Sequence, residues 1–206
     1  MRALTRDDLL TEMRLILEAC RVRDLETWLA GGWAIEAQIP KASRDHDDID
    51  FAVALGHVEQ FQEVLRDLRY AFPAHKQDRD GLRPHAEKQS LTVQAAALRF
   101  GDECVCISVP DMGGWWLQLE RPWLPARQNG RLGDMCVRCM SAEALLISKL
   151  SVNLRRDHPK AEVYEKDICV LAEHLRLDRE GLGRIRQRAS AIEPAVCLPR
   201  CPRPNP

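Results

Sequence analysis

The sequence predicts an α+β fold, in which an N-terminal module of strands and helices precedes a helical C-terminal region. Apolar residues recur at helical spacing near the start of the chain and again from Ser141 onward. Between these stretches, short apolar runs end at glycines and polar residues, as at Gly31-Gly32 and Gly101-Asp102-Glu103, which is typical of short strands. The 206 residues are enough for one domain with a helical extension.

Helices and strands alternate in the first part of the chain. Thr5 and Asp8 form the pattern of a capping box at the start of an amphipathic helix. Gly31-Gly32 is expected to form a tight turn between a short strand and the next helix. The predicted elements are a helix over 5–20, a strand over 27–30, a helix beginning near 33, a polar loop over 40–47, a strand over 48–55 and a helix over 57–70.

The rest of the chain is predicted to change from strands to helices. Residues 73–89 are polar and without periodicity, so a loop is expected. Apolar runs over 91–100 and 104–109 predict a hairpin, and residues 110–134 predict irregular or short-stranded structure. The predicted units are an α+β domain over 1–135, a helical region over 136–193 and a proline-rich, disordered tail over 194–206.

The composition excludes several classes of protein. Lys and Arg number 30 against 31 Asp and Glu, a net charge of −1, so no nucleic-acid partner is expected. No apolar run approaches the roughly 18 residues of a membrane span. The charged N-terminus lacks the apolar core of a signal peptide, so we expect a cytoplasmic protein. The sequence does not determine an oligomeric state.

The chain has eight cysteines, which are interpreted as free thiols. Cys136 and Cys139 have zinc-ligand spacing, and Cys104 with Cys106 would be a second pair. However, Cys-x-Cys in an alternating strand is poor spacing for zinc, and no histidine is close to either pair in sequence. We therefore predict buried thiols and no zinc site.

Asp48 and Asp50 form the pattern that most clearly indicates chemistry. Side chains alternate along a strand, so Ile49 and Phe51 share an apolar face while the two acids share the other. Two residue rises separate the acids by roughly 6.6 Å. Divalent cations can bridge such a pair, and Mg²⁺ is typically held by one or two carboxylates together with substrate phosphates.

A phosphate-binding segment is predicted just before these acids. Paired glycines at a helix start, Gly31 and Gly32, allow the backbone N–H groups to approach an anion closely. Lys41 and Arg44 follow, and they supply cations for phosphate oxygens. A glycine cradle, cations and a carboxylate pair within about twenty residues are what nucleotide chemistry requires.

These residues also carry a family resemblance. Gly31-Gly32-Trp33-Ala34-Ile35-Glu36, followed by Arg44-x-His46-x-Asp48-Ile49-Asp50, resembles the signature of nucleotidyltransferases of the DNA polymerase β superfamily. The likeness is greatest to the aminoglycoside 2″-nucleotidyltransferase and lincosamide nucleotidyltransferase branch, and its specific part covers residues 28–53. The resemblance implies a small mixed sheet with helices on one face, followed by a helical C-terminal region.

The resemblance also implies a reaction. A nucleoside monophosphate would pass from a nucleoside triphosphate, expected to be ATP, to a hydroxyl of a small molecule such as an aminoglycoside or lincosamide antibiotic. By this likeness Asp48 and Asp50 are the catalytic, Mg²⁺-binding residues. The implied nucleotide-binding residues are Gly31, Gly32, Lys41, Arg44 and Lys149. His46 is expected to be a supporting residue, and Asp47 is not expected to be a ligand.

Three departures from the family pattern are present, and one is Pro40-Lys41 in place of the family's Gly-Arg. Glu36 replaces the family's aspartate and keeps its charge. The family's remaining catalytic carboxylate follows a Gly-Asp-Glu turn, and in that alignment its place is taken by Cys106, a poor ligand for Mg²⁺. Glu103 or Asp111 would supply the acid if the alignment is shifted, or metal alone would activate the acceptor.

Two further functions remain open at this point. A protein that has lost the acid would be a catalytically silent nucleotide-binding module on the same fold. A toxin-like transferase would use the same chemistry on tRNA or on a protein hydroxyl.

Overall fold

A computed structural model describes residues 4–77, 83–101, 104–108, 116–120, 123–125, 127–153 and 160–190. Its helices are α1 (Arg6–Val22), α2 (Gly31–Gln38), α3 (Val58–Asp67), α4 (Ala142–Asn153), α5 (Ala161–His174) and α6 (Arg179–Ser190). Its strands are β1 (Thr27–Leu29), β2 (Asp48–Ala54), β3 (His85–Lys88), β4 (Leu91–Phe100), β5 (Cys104–Ser108), β6 (Trp116–Glu120), β7 (Gly130–Leu132) and β8 (Met135–Val137). Short 3₁₀ turns lie at Pro40–Ala42, Leu55–His57 and Ala74–Lys76.

The strands form one mixed sheet and a separate two-stranded ribbon. The main sheet has the order β1-β2-β4-β5-β6, with β3 also paired to β4, and β7 pairs with β8. Only the β2–β4 pair is parallel among these described strands. The connection between these two parallel strands includes α3, which packs on the sheet through Phe61 against Phe51, with ring centroids 5.4 Å apart.

The first helix begins as its sequence predicts. The Thr5 hydroxyl accepts the Asp8 backbone N–H, and the Asp8 carboxylate accepts the Thr5 N–H at 2.8 Å, so the predicted capping box is confirmed. Met13, Ile16 and Cys20 line the buried face of α1. The helix ends at Val22, and Asp24 follows in a left-handed conformation.

Two local predictions are wrong. Gly31 and Gly32 lie in the first turn of α2 itself, not in a turn before it. Residues 73–89 are not only a loop, because His85–Lys88 forms β3 against β4 and a bridge joins Ala71 to Glu87. The composition of β3 does not favour a strand, so its pairing with the longer β4 decides its conformation.

The C-terminal helices form the predicted helical region. α4 packs against both α5 and α6, and it also contacts α2. The α+β class with a mixed sheet followed by helices is thus confirmed. The boundary at residue 135 stays a prediction, and it falls inside β8. The tail over 194–206 lies outside the described residues, and no described helix is long and apolar enough to cross a membrane.

None of the cysteines that the structure describes forms a disulfide. Cys20 and Cys139 are buried, and burial raises the pKa of each thiol to about 12, so both are inert, apolar core residues. Cys136 is exposed although Cys139, its partner in the Cys-x-x-Cys spacing, is buried.

Replacement of Phe61 tests the packing of α3 on the sheet. Phe61 is fully buried, so Phe61→Ala is expected to lower the free energy of unfolding by about 3–5 kcal/mol through lost contacts and a residual cavity. Urea unfolding measures this change. Leu15→Ala, at a residue that is 45% exposed on α1, is the control and should change stability by less than about 0.5 kcal/mol. Equal effects of the two substitutions would contradict this packing.

Candidate active site

The site is built where the start of α2 lies against β2. Asp48 and Asp50 are partly buried, while Ile49 and Phe51 between and after them are fully buried, as alternation predicts. The Ala30 backbone N–H donates to the Asp50 carbonyl at 2.8 Å and joins the end of β1 to the middle of β2. This contact brings the beginning of α2 directly over the acid pair.

Gly31 and Gly32 permit this approach because they lack side chains. Gly31 has φ +60°, and a Cβ built there would lie 2.9 Å from the Asp50 Cβ and closer still to its carboxylate. A Cβ on Gly32 would lie 2.6 Å from the His46 ring and would also meet the Arg44 guanidinium. Glycine is therefore required at both positions, because a side chain would collide with the acid at Gly31 and with two basic side chains at Gly32.

The start of α2 is suited to an anion. Ala30 at the N-cap supplies no side-chain acceptor, and the first turn contains no acidic residue. The N–H groups of a first helical turn have no partner within the helix and carry the positive end of its dipole. Phosphate is a ligand that such a helix start can accept, and Arg44 lies next to it.

A buried polar cluster holds α2 in place. Glu36 is 4% exposed and accepts hydrogen bonds from the Arg6 guanidinium and, at 3.1 Å, from His46 Nε2. Trp33 stacks on the His46 ring with centroids 4.2 Å apart and donates from Nε1 to the Asp48 carbonyl at 3.0 Å. Glutamate at position 36, in place of the family's aspartate, therefore keeps a buried acid whose carboxylate is hydrogen-bonded.

Charge states within this cluster follow from its contacts. Burial would raise the pKa of Glu36, but the bonds from Arg6 and His46 outweigh it and lower the pKa. Burial and the nearby Arg44 charge lower the pKa of His46. Since an ionised Glu36 can only accept, Nε2 carries the proton of the neutral ring. Nδ1 is then a buried acceptor at Gly32 that has no hydrogen-bond partner in the described part of the chain.

Asp167 of α5 gathers two of the predicted cations. Lys149 Nζ of α4 lies 3.1 Å from Asp167 Oδ2, and Arg44 Nη2 lies 3.5 Å from the same oxygen. The Lys149 ammonium also sits 4.3 Å from the centroid of the Tyr164 ring. Lys149 is only 11% exposed, so it is not a solvated surface lysine.

Lys41 forms an ion pair with an acid of α5. Its Nζ lies 2.6 Å from Glu173 Oε1 on α5, and both side chains are exposed. The structure therefore ties Lys41 to the C-terminal helices, and its predicted role toward nucleotide stays a prediction.

Lys160 is a residue that the sequence analysis missed. Its Nζ lies 3.1 Å from Asp47 Oδ1 and 3.1 Å from Asp48 Oδ2, so it joins the residue before α5 to the start of β2. No local signal marks this lysine, because 112 residues separate it from Asp48. Only the packing of α5 brings the two together.

β4 is one of the two strands beside β2, and Cys106 does not lie on it. The alignment of Cys106 with the family's third carboxylate stays a prediction. In the parallel β2–β4 pair, Asp48 is opposite Thr92 and Asp50 is opposite Gln94. Cys106 lies on β5, one strand further away, where it pairs with Arg99. By alternation along β4, Arg99 and Cys106 are on the face opposite to Gln94. Glu103 and Asp111 lie outside the described residues.

The donors present fit Mg²⁺ that arrives with a nucleotide. Among the described residues, no group of three or more carboxylates, histidines or cysteines gathers into a metal site. Asp48 and Asp50 alone would give two carboxylates, and substrate phosphates would complete the coordination. The Asp50 carboxylate lies against the backbone at Gly31, so an ion held by Asp50 would lie close to the start of α2.

The two acids are not equivalent. Burial, followed by the charge of Asp48, raises the pKa of Asp50 to about 7. Lys149 and Lys160 act in the opposite direction but do not cancel the rise. Without a metal, Asp50 therefore keeps its proton to a higher pH than an ordinary carboxyl group does.

The comparisons with known proteins identify the family. The family model of aminoglycoside-2″-adenylyltransferases matches residues 12–173. The chain belongs to this family. A 2″-aminoglycoside nucleotidyltransferase of Escherichia coli is 36% identical over 144 residues, which cover 66% of this chain and 70% of that protein. A lincosamide resistance protein of Staphylococcus haemolyticus is 25% identical over 136 residues, covering 66% and 81%.

Solved structures show the same fold. The solution structure of the antibiotic-resistance factor ANT(2″)-Ia has a TM-score of 0.71 at 20% identity and covers 91% of this chain and 94% of its own. A lincomycin-bound lincosamide adenylyltransferase, LnuA, has a TM-score of 0.59 at 20% identity, covering 82% and 98%. The predicted family is confirmed, and with it the prediction that the chain is an enzyme, a nucleotidyltransferase. The non-catalytic alternative is set aside.

The raised pKa of Asp50 has a measurable effect on stability. The folded state holds a proton that the unfolded chain, with a pKa of 3.8, has already lost, so the free energy of unfolding of the metal-free protein should fall as pH rises from 4 through 7. Asp50→Asn removes this pH-dependent contribution to the free energy of unfolding. The variant should gain at least about 1 kcal/mol relative to the unmodified protein between pH 5 and pH 8, measured by urea unfolding in EDTA. Asp45→Asn, at an exposed acid nearby, should follow the unmodified curve.

Gly32→Ala tests the approach of α2 to the basic side chains. The added Cβ must displace Arg44 or His46, so the affinity for a nucleoside triphosphate, measured by calorimetry, should fall about tenfold or more. Gly56→Ala is the matched control, because a Cβ there meets nothing within 4 Å. Unchanged affinity in Gly32→Ala would remove this segment from the nucleotide site.

Proposed function

We propose that this enzyme transfers a nucleoside monophosphate, with ATP as the donor, to a hydroxyl of an aminoglycoside in a Mg²⁺-dependent reaction. The observation that carries the proposal is the placement of Asp48 and Asp50 beneath a glycine-initiated helix start, next to Arg44. The family and the 36% identical relatives support an aminoglycoside acceptor. A lincosamide is the other acceptor class to test, because of the similarity to a lincosamide resistance protein.

In this proposal the triphosphate binds at the start of α2. The backbone N–H groups of Gly31 and Gly32 donate to phosphate oxygens, and Arg44 adds a bidentate cation. Asp48 and Asp50 hold Mg²⁺, which when bound would neutralise charge on the attacking and leaving oxygens. Lys149 is kept close to the acids by Asp167 and supplies a further positive charge.

The chemistry is an in-line displacement at the α-phosphorus. The acceptor hydroxyl oxygen forms a bond to that phosphorus, the bond to the β-phosphate oxygen breaks, and pyrophosphate leaves while the hydroxyl proton is lost to water. The chain contributes mainly by positioning and charge, which is where catalysis of phosphoryl and nucleotidyl transfer largely resides.

An exposed acid beside the pair would add negative charge toward a polycationic acceptor, although Lys160 is paired with it. Asp47 precedes the acid pair, and its carboxylate is 76% exposed. Opposite charge on an exposed rim attracts an oligoamine and raises its association rate. We place the reaction in the cytoplasm, because the nucleoside triphosphate donor is available there.

Substitution of Asp48 tests the proposed function. The chain is incubated with Mg²⁺, one of four nucleoside triphosphates and a panel of aminoglycosides and lincosamides, while pyrophosphate release and the mass of the acceptor are followed. Asp48→Ala should lower turnover on the order of a thousandfold, because each 1.4 kcal/mol or so of lost charge stabilisation costs a factor of ten. Asp45→Ala, at an exposed neighbour, should keep turnover within about threefold.

Each outcome of this experiment is informative. A nucleotidylated aminoglycoside formed only with Mg²⁺ and with intact Asp48 supports the proposal. A nucleotidylated lincosamide alone would change the acceptor but keep the site. Pyrophosphate release that persists in both EDTA and Asp48→Ala would overturn the assignment of the acid pair.

A further inference from the structure

Lys160 forms an ion pair with Asp48, the carboxylate that would bind the proposed metal. Its Nζ is 3.1 Å from Asp48 Oδ2, and it is equally close to Asp47 Oδ1. The two acids of this contact differ in burial, because the side chain of Asp48 is 24% exposed and that of Asp47 is 76% exposed. Lys160 itself is 42% exposed, so solvent reaches this ion pair.

A metal ion and the Lys160 ammonium cannot share Asp48 without cost. Mg²⁺ binds carboxylate oxygens at about 2.0–2.1 Å with strict octahedral geometry. An ammonium that remains 3.1 Å from the same carboxylate would be a like charge within a few ångströms of the metal. The two cations therefore compete for Asp48.

Lys160 is also able to leave its position. An exposed lysine–carboxylate pair is weak, and the lysine side chain has four flexible carbons that carry a compact, strongly hydrated charge. The other basic side chains behave differently, because Lys149 is nearly buried and both Lys149 and Arg44 are held by Asp167. Among the described side chains Arg44, Lys149 and Lys160, Lys160 is the most exposed.

We propose that Lys160 is a positioning residue that exchanges partners during substrate binding. Without substrate it pairs with Asp47 and Asp48 and lowers their affinity for a free divalent cation. When the metal arrives with a nucleotide, Lys160 leaves Asp48 and binds the polyphosphate, which brings its own negative charge. The inference rests on the proposed function, because it takes Asp48 as the metal ligand.

This exchange predicts opposite effects of one substitution on two ligands. Lys160→Met should bind Mn²⁺ alone about threefold to fivefold more tightly, because its competitor is gone, and should bind Mn²⁺ with α,β-methylene-ATP about threefold to fivefold more weakly. Lys160→Arg should keep both affinities near those of the unmodified protein. Electron paramagnetic resonance measures free Mn²⁺, and calorimetry measures the nucleotide.

Lys76→Met is the matched control. Lys76 is 40% exposed and is paired with Glu87 on β3, so the substitution removes the same charge and a comparable ion pair away from the acids. Both affinities should be unchanged in this variant. Thermal unfolding checks that each variant is folded, and Lys160→Gln replaces Lys160→Met if the latter does not fold.

The outcomes separate this inference from the proposed function. If Asp48→Ala abolishes Mn²⁺ binding while Lys160→Met binds Mn²⁺ no more tightly, the exchange is overturned and the metal site stands. If Lys160→Met weakens both ligands alike, Lys160 has only a structural role. If Asp48→Ala binds Mn²⁺ as tightly as the unmodified protein, both the metal site and the exchange are overturned.

Discussion

The close approach of a helix start to an acidic strand is the constraint on which the rest of the site depends. At Gly31 the backbone of α2 lies so near Asp50 that any side chain would collide with it, and at Gly32 the same holds for Arg44 and His46. Two glycines therefore do more than provide flexibility here. They bring the N–H groups of a helix start, a carboxylate and a guanidinium into one small volume, and each alternative residue would separate them.

This approach is maintained by groups that are themselves costly to bury. Glu36 and His46 are nearly inaccessible to water, and buried polar groups are tolerated only when they are hydrogen-bonded. Arg6 and His46 satisfy Glu36, and Trp33 fills the space beside them while binding the Asp48 carbonyl. The cluster joins α1, α2 and β2, so an error in any of these elements would leave a buried charge unpaired. Because an unpaired buried charge is costly, this cluster favours one arrangement of the three elements.

Features that depend on residues close together in the sequence could be predicted, and contacts between residues far apart in the sequence could not. The α1 cap and the shared face of Asp48 and Asp50 follow from local geometry, and the family signature lies within one continuous segment. The residues that contact that segment in the folded structure do not follow from local geometry. Whether Gln94 or Cys106 lies nearer Asp50 depends on which strand pairs with β2, and a one-strand change alters the answer. The contact of Lys160 with Asp48 depends on helix packing across 112 residues and leaves no periodic trace.

The charges of the site show why it suits a metal and a polyphosphate that bind together. In the described part of the chain, three cations meet four carboxylates, namely Arg44, Lys149, Lys160, Asp47, Asp48, Asp50 and Asp167. With Asp50 protonated, these groups are balanced, so a free divalent cation would add uncompensated positive charge. A nucleoside triphosphate alone would place its negative charge beside two acids. The metal and the nucleotide together offset each other, and binding can then release the Asp50 proton and redirect a lysine at little electrostatic cost. This charge balance supports the proposal that the metal and the nucleotide bind as one complex.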